Sequence, residues 1–257
     1  MALTLTGAWD RPEIVAGFAQ SQPNPRLIDY ARRLQHGRPP LRVADIGCGA
    51  GRNAVPLAQL GCDVIGLDRS QPMLDSAALR HASGGLRLAK AEMHELPLPD
   101  SSIDLIVAHG IWNLARSGAE FRAALSEAAR VAAKGAAVFV FTFSRHTLPS
   151  QAVPICGESF VFTNFSGEPQ VFLTLDQLLN EMRAAGFRVD TGFPVRELNL
   201  PPAGQVRIGG APVIFEAAFQ LTAGKALTRC SSRRLTRPGR TAIRRRRSAP
   251  SPVRPRT

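Results

Sequence analysis

The stretch that most constrains this chain is Leu41–Gly51: a short apolar run is halted by Gly47, Gly49 and Gly51 and followed at once by a helix-like segment, Arg52–Leu60. Three alternate glycines stop either a helix or a strand, because glycine gains too much freedom outside them. The pattern therefore reads strand, tight turn, helix. It then recurs. Cys62–Leu67 is apolar and β-branched and stops at Asp68, and Ser70–His81 reads as a helix with Ser70 as its N-cap. Leu86–Ala89 and Ile103–Ala108 read as strands, Ser117–Ala133 as a long helix closing on Lys134-Gly135, and Ala136–Phe143 as a fifth strand. Strands alternating with helices imply βαβ units and a parallel sheet. Near-continuous apolar strands imply burial on both faces.

The flanks read differently. Residues 1–40 hold helical stretches near Pro12–Gln20 and Pro25–Gln35 and are expected to form an N-terminal cap. Residues 144–173, rich in Pro, Gly, Phe and Ser, break the rhythm and are expected to be an insertion or lid. Thr174–Ala185 predicts a helix, and Phe187–Val195 with Val213–Leu221 a terminal antiparallel hairpin. One domain over residues 1–224 is expected.

The net charge of +12 suggests nucleic acid until it is located. Residues 225–257 hold one Lys and eleven Arg and no acid, whereas residues 1–224 hold 20 basic and 20 acidic residues. The expected domain is neutral, and the tail is expected to be disordered because it cannot bury enough apolar area to offset its ordering entropy. It has no aromatic residue on which a base would stack, so no specific nucleic acid is expected. Its abrupt onset also fits a shifted reading frame. Four scattered cysteines without a CxxC pair argue against a zinc site or a disulfide framework, and no metal-ligand set stands out. Met1–Asp10 carries no Lys or Arg, and no apolar run reaches membrane-spanning length, so a cytoplasmic protein without a membrane span is expected.

The turn itself is Asp45-Ile46-Gly47-Cys48-Gly49-Ala50-Gly51. Its spacing is G-x-G-x-G, not the G-x-G-x-x-G of dinucleotide folds. A carboxylate two residues before the first glycine is poor company for a pyrophosphate and suits a ligand carrying an ammonium group. Asp68 ends the second strand 17 residues after Gly51. A carboxylate there can accept both hydroxyls of a ribose lying across the strand ends. A capping or surface role is the bland reading, which the glycine turn outweighs.

With the segment Ala91-Glu92-Met93-His94-Glu95-Leu96-Pro97-Leu98-Pro99-Asp100-Ser101-Ser102-Ile103-Asp104 added, the chain resembles the class I S-adenosylmethionine-dependent methyltransferases, in particular the small-molecule branch that includes ubiquinone- and menaquinone-biosynthesis enzymes. The resemblance covers about residues 41–143 and extends more loosely to Leu221. It implies an α/β, Rossmann-like, doubly wound fold with a mostly parallel seven-stranded sheet and a terminal antiparallel strand. It implies S-adenosyl-L-methionine as cofactor, a small-molecule acceptor, and site residues. Asp45 and the backbone of Gly47, Cys48, Gly49 and Gly51 would hold the methionine moiety, and Asp68 the ribose. Glu92 and the Met93 amide would meet the adenine, flanked by Arg69 and Met73. Where the family commonly has Gly-Asp, this chain has Ala91-Glu92, a longer acid.

His109 and Gly110 follow the fourth strand, where the resemblance places the sulfonium and acceptor. His109 is either a base for the acceptor or a ring packed against the cofactor's methionine end, and Trp112 is a candidate pocket wall. In the insertion, Arg145 or His146 would meet a polar acceptor, while Phe160, Phe162, Phe165 and Phe172 individually read as a satellite apolar cluster. Two other functions compete: an RNA-directed methyltransferase or nucleic-acid binder using the tail, and a nucleotide-dependent oxidoreductase.

Overall fold

A computed structural model describes residues 9–81, 85–201 and 210–222; residues 225–257, on which the tail expectation falls, lie outside the described residues. Five parallel strands form the body of the sheet: β1 (Arg42–Ile46), β2 (Asp63–Asp68), β3 (Leu86–Lys90), β4 (Ile103–His109) and β5 (Ala132–Phe143). A separate hairpin pairs β6 (Val161–Phe162) with β7 (Gln170–Val171). β8 (Phe187–Val189), β9 (Arg196–Leu198) and β10 (Ile214–Leu221) complete the main sheet, whose order is β3-β2-β1-β4-β5-β10-β8 with β9 beside β10. β10 is antiparallel to β5. The order reverses between β1 and β4, and in such sheets ligands sit beyond the carboxyl ends at that point.

Alternating side chains build two helical layers. Val43, Leu105, Val107 and Phe139 face α2 (Pro25–Gln35), α3 (Ala54–Gln59) and α4 (Gln71–Arg80) through Leu27, Ala31, Leu57 and Leu74. Ala44, Ile46, Ile106 and Val138 face α5 (Gly118–Val131) and α6 (Leu175–Ala184) through Phe121, Leu125, Leu178 and Met182. Each fully buried Leu, Ile or Phe contributes about 1.5–3 kcal/mol of apolar transfer. Caps follow the expected chemistry. The Ser70 hydroxyl accepts from the Met73 amide, and Thr174 with Gln177 forms a reciprocal capping box. A remaining helix, α1 (Pro12–Gln20), buries none of its residues.

Among the described residues the sheet has eight strands, not the expected seven. The expected strand Phe187–Val195 is broken by a turn at Asp190, whose carboxylate accepts the Gly192 amide at 2.9 Å and whose following loop buries Phe193. β8 and β9 therefore pair with different halves of β10, at Phe219–Leu221 and Ile214–Glu216. The expected helix Ser117–Ala133 ends at Val131, because Ala132 already pairs with Ile103 as strand, and Gly135 sits at φ +74° inside β5. The expected helix Arg52–Leu60 shrinks to α3, since Gly51–Asn53 remain a turn. Among the described residues no helix is long and apolar enough to cross a membrane.

Candidate functional site

The glycine turn is pinned to the end of β2. The Gly47 and Cys48 amides both donate to the Leu67 carbonyl, at 2.7 and 3.0 Å. Gly47, Gly49 and Gly51 have φ of +68°, +52° and +78°, a region L side chains avoid, and a Cβ on Gly47 would stand 2.8 Å from Ile111. The Asp68 carboxylate closes the same corner: Oδ2 accepts the Gly49 amide at 2.8 Å and Oδ1 the Ser70 amide at 2.9 Å. Burial pushes the Asp68 pKa up, against the Ser70, Gly49 and Arg69 amides and the Arg69 charge. A carboxylate has about four lone-pair sites, so one remains for a sugar hydroxyl. Beside it runs a cleft lined by Gly47, Asp68, Arg69, Glu92, Met93 and Trp9 among others.

At the other end, Asp45 is 1% exposed, and its Oδ2 has no hydrogen-bond partner. Burial pushes its pKa up to about 7, countered by Arg52, with Asp68 adding to the rise and the Ala54 amide opposing it. Arg52 is half-buried, and among the described residues no carboxylate forms an ion pair with it. Its Nη2 lies 2.6 Å from His109 Nδ1. A buried carboxylate oxygen without a donor and a neighbouring guanidinium without an acid are each costly. Together they suit a ligand that carries both an ammonium and a carboxylate. The residues present thus fit an amino-acid group at this end of the turn and a nucleoside at the other.

His109 itself stacks on Phe141, ring centroids 4.0 Å apart. Burial, then the Arg52 charge, lowers its pKa to about 3. Its Nε2 is 3.3 Å from Asn24 Nδ2, which donates to Glu216 Oε2 at 2.8 Å. Asn24 Oδ1 accepts the Arg26 and Leu27 amides as the N-cap of α2, which fixes the amide's orientation. Arg26 Nη1 completes the network, 2.5 Å from Glu216 Oε1.

A sequence model described as "methyltransferase domain" matches residues 44–140, which run from β1 into β5 and hold most of the residues lining the cleft. The chain carries a methyltransferase domain. S-adenosylmethionine is the cofactor of this methyltransferase, and methyl transfer, not hydride transfer, is its reaction. The chain is 28% identical to a demethylmenaquinone methyltransferase of Thermus thermophilus over 64% of its own length and 80% of the relative's. It is 29% identical to a ubiquinone biosynthesis O-methyltransferase of Mesorhizobium japonicum over 54% of its length, spanning 59% of that protein. Its fold is similar to that of an S-adenosylmethionine-dependent methyltransferase from Methanosarcina mazei, TM-score 0.62 at 22% identity, covering 79% of this chain and 99% of that one.

Of the sequence-predicted residues of the methyltransferase, Gly47, Asp68, Arg69, Glu92 and Met93 line the cleft. Asp45, Gly49 and His109 are not among its lining residues: Gly49 donates its amide to Asp68, and Asp45 and His109 lie near Arg52. Three lie elsewhere. Met73 is buried, its Sδ 3.8 Å from a Cβ built on Gly49; a Cβ on Gly51 would meet Val55 and Ala77; and the Cys48 side chain packs against Gly66. Arg145 and His146 both have partners within the chain. The Arg145 guanidinium donates to the carbonyls of Leu148, Pro149, Ser150 and Ala152, and His146 Nδ1 lies 2.7 Å from Glu197 Oε1. Phe162 and Phe172 form a satellite cluster with Leu148, while Phe160 packs on Phe121. Arg52, Asn24, Glu216 and Trp9 were not singled out from sequence. Arg52 directly follows the glycine turn, and that adjacency was the signal available.

Proposed function

We propose that this chain methylates a small-molecule acceptor in the cytoplasm and holds S-adenosylmethionine between Asp45 with Arg52 at one end and Asp68 with Glu92 at the other. The observation that carries this reading is Asp45 Oδ2, buried without a hydrogen-bond donor, near a half-buried Arg52 guanidinium that makes no close ion pair among the described residues. Asp45 would take the ammonium and Arg52 the carboxylate of the amino-acid end. Asp68 would take the ribose hydroxyls, and Glu92 with the Met93 amide the adenine. The glycine turn lets the ligand approach the backbone closely.

The bound cofactor supplies a methyl group already activated on a sulfonium. The chain's own contribution is alignment and exclusion of water, which can lower a barrier by roughly 7–11 kcal/mol at best. His109 acts in this reading as a neutral hydrogen-bonding ring, not as a base. A guanidinium only donates, so Nδ1 is the unprotonated nitrogen and Nε2 carries the hydrogen. Residues 144–173 are read as a lid over the acceptor side, and the N-terminal helices as a cap. The basic tail is read as an appendage without a specific nucleic-acid partner.

The test is calorimetry with S-adenosylhomocysteine, followed by incubation with labelled S-adenosylmethionine and a metabolite extract, with demethylmenaquinone as the first defined acceptor. Saturable binding and one labelled small product support the reading. Label found in RNA instead would replace the acceptor class.

A further inference from the structure

The nucleoside end of the cleft has a wall that lies outside the matched residues 44–140. Trp9 lines it with Asp68, Arg69, Glu92 and Met93, and among the described lining residues it is the one aromatic ring. The indole meets Phe18 edge-on, centroids 5.6 Å apart and planes at 78°. Phe18, on α1, lies over the glycine turn: a Cβ on Gly49 would stand 3.6 Å from its ring. The next residue, Asp10, accepts the Ser70 hydroxyl on Oδ1 at 2.6 Å. Ser70 in turn donates its amide to Asp68. The segment is thus tethered one hydrogen bond away from the proposed ribose carboxylate.

α1 is an unusual element to keep. Its sequence, PEIVAGFAQ, holds one charge and five apolar side chains, yet none is buried; Ile14, Val15, Phe18 and Ala19 are half-covered. A helix held by so little surface is at the low-stability end of the fold, where ligand-binding covers are drawn from.

We propose that Trp9 is an adenine-binding residue, and that the segment from Trp9 to Gln20 closes over the nucleoside through it, latched by Asp10 on Ser70. This rests on the S-adenosylmethionine reading above. The surrounding groups suit a purine: an aromatic face from Trp9, an acceptor from Glu92 and apolar edges from Met93 and Leu96. The alternative is that Trp9 and Phe18 only hold α1 in place.

The experiment is a titration of the full chain with S-adenosylhomocysteine, read by tryptophan fluorescence and calorimetry. The chain has two tryptophans, and Trp112 is 1% exposed, so it supplies a constant background. The proposal expects the wild-type emission to change on binding and that change to vanish in Trp9→Phe. It expects affinity about tenfold weaker in Trp9→Ala, from loss of a base–aromatic contact, and restored in large part by Trp9→Phe. Asp10→Ala, which removes the acceptor of the Ser70 hydroxyl, should quicken dissociation about threefold. Wild-type affinity in Trp9→Ala, or an unchanged fluorescence response in Trp9→Phe, overturns the proposal and leaves the cofactor reading standing. No binding of S-adenosylhomocysteine by the wild-type chain overturns the reading beneath it.

Discussion

The Arg52 guanidinium lies against the His109 ring with Nη2 2.6 Å from Nδ1. Burial first, and the Arg52 charge second, lower the His109 pKa to about 3 and hold the ring neutral. The expected outcome is a turnover profile without a His109 step between pH 5 and 8. Stability follows the same logic. The folded pKa lies below the unfolded value near 6.5, so the unfolded chain binds more protons in between, and this contribution is lost as pH falls from about 6.5 toward 3. His109→Gln should flatten that acid limb of melting temperature against pH. A step in turnover near pH 6.5 that disappears in His109→Gln would restore the base role.

Asp45 has the opposite sign. Its folded pKa of about 7 lies above the ordinary 3.8, so the folded chain holds the extra proton. Its contribution is present below about 3.8 and lost as pH rises through 7. Asp45→Asn should therefore melt higher than wild type at pH 8, lose that advantage by pH 5, and bind S-adenosylhomocysteine poorly at both. Thermal melts across pH check the first claim and calorimetry the second.

Asp68 joins the turn to the end of β2 through the Gly49 and Ser70 amides. Losing a charge-assisted pair of ribose bonds costs on the order of 2–4 kcal/mol. Asp68→Ala should weaken S-adenosylhomocysteine binding roughly 30-fold or more while the chain stays folded by circular dichroism. Unchanged affinity would remove Asp68 from the site.

Glu216 is nearly sealed, its side chain 3% exposed, and it carries both Arg26 and Asn24. Truncating one partner of a buried pair leaves an uncompensated charge, at about 3 kcal/mol. Glu216→Ala should lower the melting temperature by roughly 6–12 °C, and a Glu216→Met, Arg26→Met double variant should recover much of it. An equal loss in both variants would assign the effect to packing alone.

The tail holds twelve of the 32 basic residues. A chain ending at Gly224 should bind S-adenosylhomocysteine as tightly as the full chain and lose the salt-sensitive retention on RNA that a basic tail confers. Weaker cofactor binding on truncation would give the tail a part in the site.

The sequence by itself determined the β–α rhythm from Leu41 to Phe143, the glycine turn and the carboxylate ending β2. Each of these is local physics: a strand's apolar run, glycine's access to positive φ, a capping serine three residues before the amide it receives. It also placed the charge, since a count needs no fold. What only the tertiary structure decided depends on pairing across the sheet. β9 exists because β10 has room for two short strands along one edge, which the run from Phe187 to Val195 does not disclose. α5 ends at Val131 because Ala132 is claimed by Ile103. Glu216 reads in sequence as one charge interrupting an apolar run, yet it meets Asn24 from 192 residues away. Arg145 looked free for an acceptor until its four carbonyl partners were in place. Sequence patterns report the face a residue occupies; which charges meet there is set by strand order and crossovers, and that is why the unmet pair Asp45 and Arg52 came into view only in three dimensions.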